Sequence, residues 1–147
     1  MYKYRISKYN PKYRDNQGIF LKNEWTSYSD IGKVYEGKMF EKEEYLKVEA
    51  QYCDVILCIL KTNGTKVLII KNLELNYSIN EVKQMLQIKG LDLLIEDKEI
   101  ITTLSSNKKI TIDDLQVYLK LLLRECFWCE LKDENLLNKV EFGYDFY

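Results

Sequence analysis

Between Ile112 and Glu125 the polar side chains Asp113, Gln116, Lys120 and Arg124 recur three or four residues apart, while Leu115, Tyr118, Leu119, Leu122 and their neighbours fill the other positions. On a helix with 3.6 residues per turn that spacing makes one narrow polar stripe on an otherwise apolar cylinder, so the segment predicts a helix lying deep in a core. Thr111 followed three residues later by Asp114 has the form of a capping box, which places the helix start there. After it come Cys126 to Leu131, a turn-rich segment with Asp133 and Asn135, and the aromatic run Val140 to Tyr147, which together read as a helix feeding a hairpin.

The remaining elements must cover this helix. Tyr2 to Ser7 alternates apolar and polar residues and predicts a half-buried strand, ended by Tyr9-Asn10-Pro11; Ile19 to Leu21 is a possible short return strand. Ser27 and Asp30 form a second box pattern, predicting a short helix that Gly37 ends. Residues 41–61 predict the longest helix, with Lys47, Gln51, Asp54 and Lys61 wet, Tyr45, Val48, Tyr52, Ile56 and Ile59 dry, and Asn63-Gly64 as its stop. Val67 to Ile70 is an unbroken apolar run, the mark of a central strand covered on both faces. Ser78 with Glu81 opens a further helix that Gly90 ends, whereas residues 91–110 give no decisive pattern. With no repeat, no linker and one proline, the chain predicts a single α+β domain over residues 1–147: a mixed sheet, including strand 1–7 and the C-terminal hairpin, with helices packed on it.

Composition narrows the function. The net charge of -1 excludes a blanket attraction to nucleic acid or acidic membranes, and no run of eighteen apolar residues or leader-like start points to a membrane or to secretion, so the cytoplasm is the expected location. Of 22 basic residues three are arginines, a poor supply for bidentate phosphate recognition. Cys53 and Cys58 stand about 140° apart on a helix and there is no histidine, so neither a zinc site nor a Ser-His or Cys-His nucleophile is expected; Cys126-x-x-Cys129 reads as buried thiols. The six glycines are scattered and form no nucleotide cradle. No catalytic residue, cofactor or metal ligand is therefore predicted, and an enzyme of unknown type has no motif behind it. Lysines and tyrosines do interleave over residues 1–22, a pattern that suits single-stranded nucleic acid, but the alternation already buries part of them.

Two features favour a protein partner. Twelve tyrosines and two tryptophans supply rigid amphipathic contact area, and residues 113–147 carry eight acids against four bases, a local net of 4 minus 8, or -4, that attracts a basic partner. The stretches YKYRISKYNPKYRD at 2–15, EWTSYSDIGK at 24–33, LRECFWCEL at 123–131 and EFGYDFY at 141–147 resemble a group of small bacterial proteins similar to the immunity proteins of polymorphic toxin and contact-dependent inhibition systems. The resemblance implies a protein that binds and neutralises a cognate toxin by covering its active or substrate site, and it brings no functional residue with it. Position and residue type single out Glu24, Tyr28 and Asp30, with Asp145 and Tyr147 on the last strand, as the acidic and aromatic surface that would meet a basic toxin.

Overall fold

A computed structural model describes residues 4–135 and 138–143 of the chain. Among them the order is a β1–β2 hairpin (Val34–Tyr35 and Lys38–Met39), α1 (Lys42–Thr62), β3 (Val67–Glu74), α2 (Ile79–Ile88), α3 (Ile95–Thr102), β4 (Lys109–Thr111), α4 (Leu115–Leu123), β5 (Trp128–Asp133) and β6 (Lys139–Val140). The main sheet runs β4-β3-β5-β6, so β3 is an interior strand, as its apolar run predicts. Every pairing is antiparallel, which gives the α+β class but an antiparallel sheet instead of the mixed one expected. An antiparallel sheet tolerates one wet face. Leu68 and Ile70 are accordingly buried, while Val67 and Ile69 on the opposite face of β3 are only half-buried.

One apolar core joins the sheet to the helices. Leu68, Ile70, Cys129 and Leu131 from the sheet, Tyr45, Tyr52, Cys53, Ile56 and Leu60 from α1, and Leu115, Leu119, Leu121, Leu122 and Leu123 from α4 belong to the same buried cluster. Helix α4 is buried nearly all round, as its narrow polar stripe predicts. The stripe itself is not wet throughout: Gln116 is exposed, but Arg124 is buried.

The helix ends follow local chemistry. Ser78 and Glu81 form the complete capping box, with the Glu81 N–H donating to Ser78 Oγ at 3.3 Å and the Ser78 N–H donating to Glu81 Oε2 at 2.7 Å. Thr111 closes the turn before α4 instead: its Oγ1 accepts from the Asp114 N–H at 3.3 Å, and regular helix starts at Leu115. Helices α1, α2 and α4 all stop with the paired hydrogen bonds of a Schellman motif, in α4 from the Glu125 N–H to the Leu122 carbonyl and from the Cys126 N–H to the Leu121 carbonyl. Gly64 and Gly90 hold the left-handed position in the first two, but in α4 it falls to Glu125, at φ 56°.

Three further expectations are corrected. Residues 4–9 form no strand, and residues 1–3 of the expected strand 1–7 lie outside the described residues. Ile19 to Leu21 contributes one isolated bridge, Arg14 with Phe20. Ser27 caps a single 3-10 turn, Tyr28–Asp30, not a helix running to Gly37; Gly32 at φ 91° breaks it, and Glu36-Gly37, at φ 51° and 80°, make the two-residue turn between β1 and β2. Two successive positive φ values are the type I′ geometry whose twist matches a hairpin. Within residues 91–110 the chain resolves into α3 and β4.

Candidate functional site

The β1–β2 hairpin folds back over the start of α1 and leaves a recess of about 280 Å³ lined by Asn23, Glu24, Trp25, Tyr35, Glu36, Lys38, Met39, Phe40 and Glu44. Its floor is aromatic. Trp25 and Phe40 are stacked with centroids 4.3 Å apart and an interplanar angle of 13°, Tyr45 meets Trp25 edge-on at 6.1 Å, and Tyr28 meets Tyr45 edge-on at 6.5 Å. Its wall is charged, with Glu24, Glu36 and Glu44 against Lys38, whose Nζ stands 3.2 Å from Glu44 Oε2. On the hairpin strands Val34 and Met39 remain 59% and 55% exposed, so apolar surface continues out of the recess.

Buried polar groups fix this geometry. Asp30 is only 5% exposed and accepts hydrogen bonds from the Thr26 N–H at 2.7 Å, the Thr26 hydroxyl at 3.1 Å and Lys33 Nζ at 2.6 Å, with a further bond to Tyr35. Burial alone would raise its carboxyl, but these donors outweigh burial and hold it down at about 2. Asp30 thus ties the 3-10 turn to the hairpin. Lys8 reaches in from the N-terminal segment, its Nζ 3.3 Å from Glu24 Oε2 and 4.4 Å from the Trp25 ring centroid. Burial lowers its ammonium, and Glu24 counters that shift.

The structure separates the residues singled out from sequence. Glu24 is half-buried and lines the recess. Tyr28 and Asp30 were expected on an open contact surface; they are 3% and 5% exposed and lie beneath it as support. Burial pushes the Tyr28 hydroxyl well above its ordinary range. Asp145 and Tyr147 lie outside the described residues. Sequence reasoning missed Tyr35, Glu36, Lys38, Met39 and Glu44. The signal available for them was Glu36-Gly37 between two short β-prone pairs, a weak form of the Asn-Gly hairpin signature.

Elsewhere several cations are taken up by rings and carboxylates of the chain itself. Lys12 and Lys22 stand over the Tyr13 ring at 4.7 and 4.2 Å and Lys8 over Tyr9 at 4.1 Å, so these tyrosine faces, which would stack bases, carry the chain's own cations. In the core Arg124 grips Glu49 in a fork, Nε to Oε2 at 2.8 Å and Nη2 to Oε1 at 2.7 Å, and Lys120 Nζ donates to the buried Asp97 at 2.8 Å. Cys53, Cys126 and Cys129 are buried and unpaired, and desolvation pushes each thiol up to about 12; Cys58 is exposed, on the other side of α1 from Cys53. Among the described residues no three His, Cys, Asp or Glu side chains are grouped so as to hold a metal ion, and no helix is long and apolar enough to cross a membrane. Among the described residues the recess presents a partly apolar surface carrying three carboxylates and one ammonium. No family model, no curated protein and no solved structure matches this chain.

Proposed function

We propose that this chain is an immunity-type protein of the bacterial cytoplasm, which binds a cognate basic toxin one-to-one and neutralises it by covering its active or substrate site. The observation that carries the reading is the recess at residues 23–44, where Glu24, Glu36 and Glu44 surround an aromatic floor and exposed Val34 and Met39 extend the contact area. Toxins that attack nucleic acid present basic clefts, and a surface carrying these carboxylates opposes such a cleft in charge. The Asp30 network and the Trp25–Phe40 stack hold the surface in one conformation before a partner arrives, which limits the ordering entropy lost on binding. Neutralisation of this kind uses binding alone and calls for no cofactor or metal.

Co-expression tests the reading. The open reading frame adjacent to this gene should encode a product that arrests growth when expressed alone, and growth should recover when this protein is made with it. Recovery together with co-purification of the two chains supports the proposal, and continued arrest despite abundant folded protein refutes it.

A further inference from the structure

The geometry points to the N-terminal loop, residues 12–22, as a docking surface for an anionic lipid membrane, an inference that goes beyond the toxin-binding reading and does not depend on it. The loop folds back on itself. The Leu21 N–H donates to the Tyr13 carbonyl at 2.8 Å, the Asp15 N–H donates to the Ile19 carbonyl at 2.9 Å, and Arg14 bridges Phe20. Asp15 closes the tip by accepting from the Gln17 and Ile19 N–H groups at 2.9 and 2.8 Å, so the one carboxylate of the loop is occupied by its own turn.

The two sides of this extended segment differ. Phe20 turns toward the body of the protein, its ring edge-on to the buried Tyr9 at 4.8 Å. Ile19 and Leu21, the residues on either side of it, project the other way and are 57% and 68% exposed. Cations flank them. Residues 4–22 carry five bases against Asp15, a local net of 5 minus 1, or +4, and the rest of the chain therefore carries -1 minus 4, or -5. Lys8 is matched by Glu24, whereas Lys12 and Lys22 stand over the Tyr13 ring and make no ion pair among the described residues.

A lipid surface fits this combination better than nucleic acid or a folded protein does. The rings that would stack on bases or fill a partner's pocket, Tyr9, Tyr13 and Phe20, meet one another or carry the chain's own cations. What reaches solvent is a pair of aliphatic side chains beside long flexible cations, and a fluid anionic surface receives both without a complementary pocket: the ammonium and guanidinium groups stay at the headgroups while Ile19 and Leu21 enter the acyl boundary. The net charge of the chain excludes attraction of the whole molecule but not of this end. Repulsion of the remaining -5 turns the loop toward the membrane.

Co-sedimentation of the full chain with vesicles at low salt tests this, using phosphatidylcholine and phosphatidylglycerol in equal parts against phosphatidylcholine alone. Wild-type protein is expected to sediment with the anionic vesicles only and to be released as salt rises. Lys12→Gln/Lys22→Gln and Ile19→Ser/Leu21→Ser should each bind about tenfold more weakly, while Lys61→Gln/Lys83→Gln, at exposed positions on α1 and α2, should bind as wild type does. An Ile19→Trp variant adds a local readout: its emission should shift to the blue on anionic vesicles and be quenched by brominated acyl chains. No sedimentation with the anionic vesicles, equal weakening in the Lys61/Lys83 variant, or an Ile19→Trp signal untouched by brominated lipid overturns the proposal. Binding to polyglutamate or oligothymidylate without binding to vesicles also overturns it, and assigns the loop to an acidic protein or to nucleic acid.

Discussion

The fork between Glu49 and Arg124 joins α1 to α4 across the core, with both side chains under 10% exposed, at 7% and 8%. At an effective dielectric of about 20 and a charge separation of about 4 Å, the attraction is about 4 kcal/mol, and it is opposed by the loss of hydration of both ions. The pair is thus close to balanced, while either member alone is not. Arg124→Met strands a buried carboxylate beside Tyr45, and Glu49→Met strands a guanidinium beneath Cys126, whose thiol donates to the Arg124 carbonyl at 3.8 Å. Each single variant is expected to lose about 3 kcal/mol, whereas the double Met variant, which fills the same space without charge, should lose under about 2 kcal/mol, a coupling of at least about 4 kcal/mol. Urea unfolding followed by tryptophan fluorescence reads this directly. With m near 2 kcal/mol/M, each single variant should lower the midpoint by about 1.5 M and the double by under about 1 M. Additive losses, or single variants within about 0.5 kcal/mol of wild type, would show that the fork is not a desolvated pair and that the reasoning is wrong.

Three further outcomes follow from the same physics. Asp30 is held at about 2 in the folded chain against about 3.9 unfolded, so its contribution of roughly 2 to 3 kcal/mol is complete above about pH 5 and disappears as pH falls through 2; Asp30→Asn should lower stability at pH 7 and flatten the acid limb, and an unchanged acid limb would contradict it. Glu125→Gly should raise the melting temperature by about 3 °C by relieving the left-handed strain of the α4 stop, and a lowered melt would show that the Glu125 side chain contributes more than the strain costs. Iodoacetamide under native conditions should modify Cys58 alone, with Cys53, Cys126 and Cys129 reacting only on unfolding, as mapped by peptide mass spectrometry.

What was legible in the sequence was whatever periodicity and caps encode locally. The expected helix over 41–61 is α1 at Lys42–Thr62, the Ser78 box opens α2, and the apolar run at 67–70 lies in the interior strand β3. What was not legible depends on partners distant in sequence. Glu49 sits on the spacing Tyr45, Glu49, Tyr52, Ile56, a core position where a carboxylate demands a buried cation, yet Arg124 is 75 residues away and fits equally well on a wet stripe. Tyr2 to Ser7 alternates as a strand should, but alternation does not supply a neighbouring strand, and residues 4–7 lie in no strand. Glu24, singled out by type and position, lines the recess. Tyr28 and Asp30, expected exposed, are buried, because a box pattern shows that a turn starts and not which way the side chains face. Asp30→Lys would therefore damage folding and is no probe of binding, whereas Glu36 and Glu44 are suitable positions.

The central claim is that the hairpin recess meets a basic toxin, and calorimetric titration of the toxin domain encoded beside the gene tests it most directly. Wild-type protein is expected to bind at one-to-one stoichiometry. Glu36→Lys/Glu44→Lys should melt within about 2 °C of wild type, because both side chains reach solvent, yet bind about 3 kcal/mol more weakly through like-charge contact. Equal affinity of the two proteins, with the variant folded, would contradict the account.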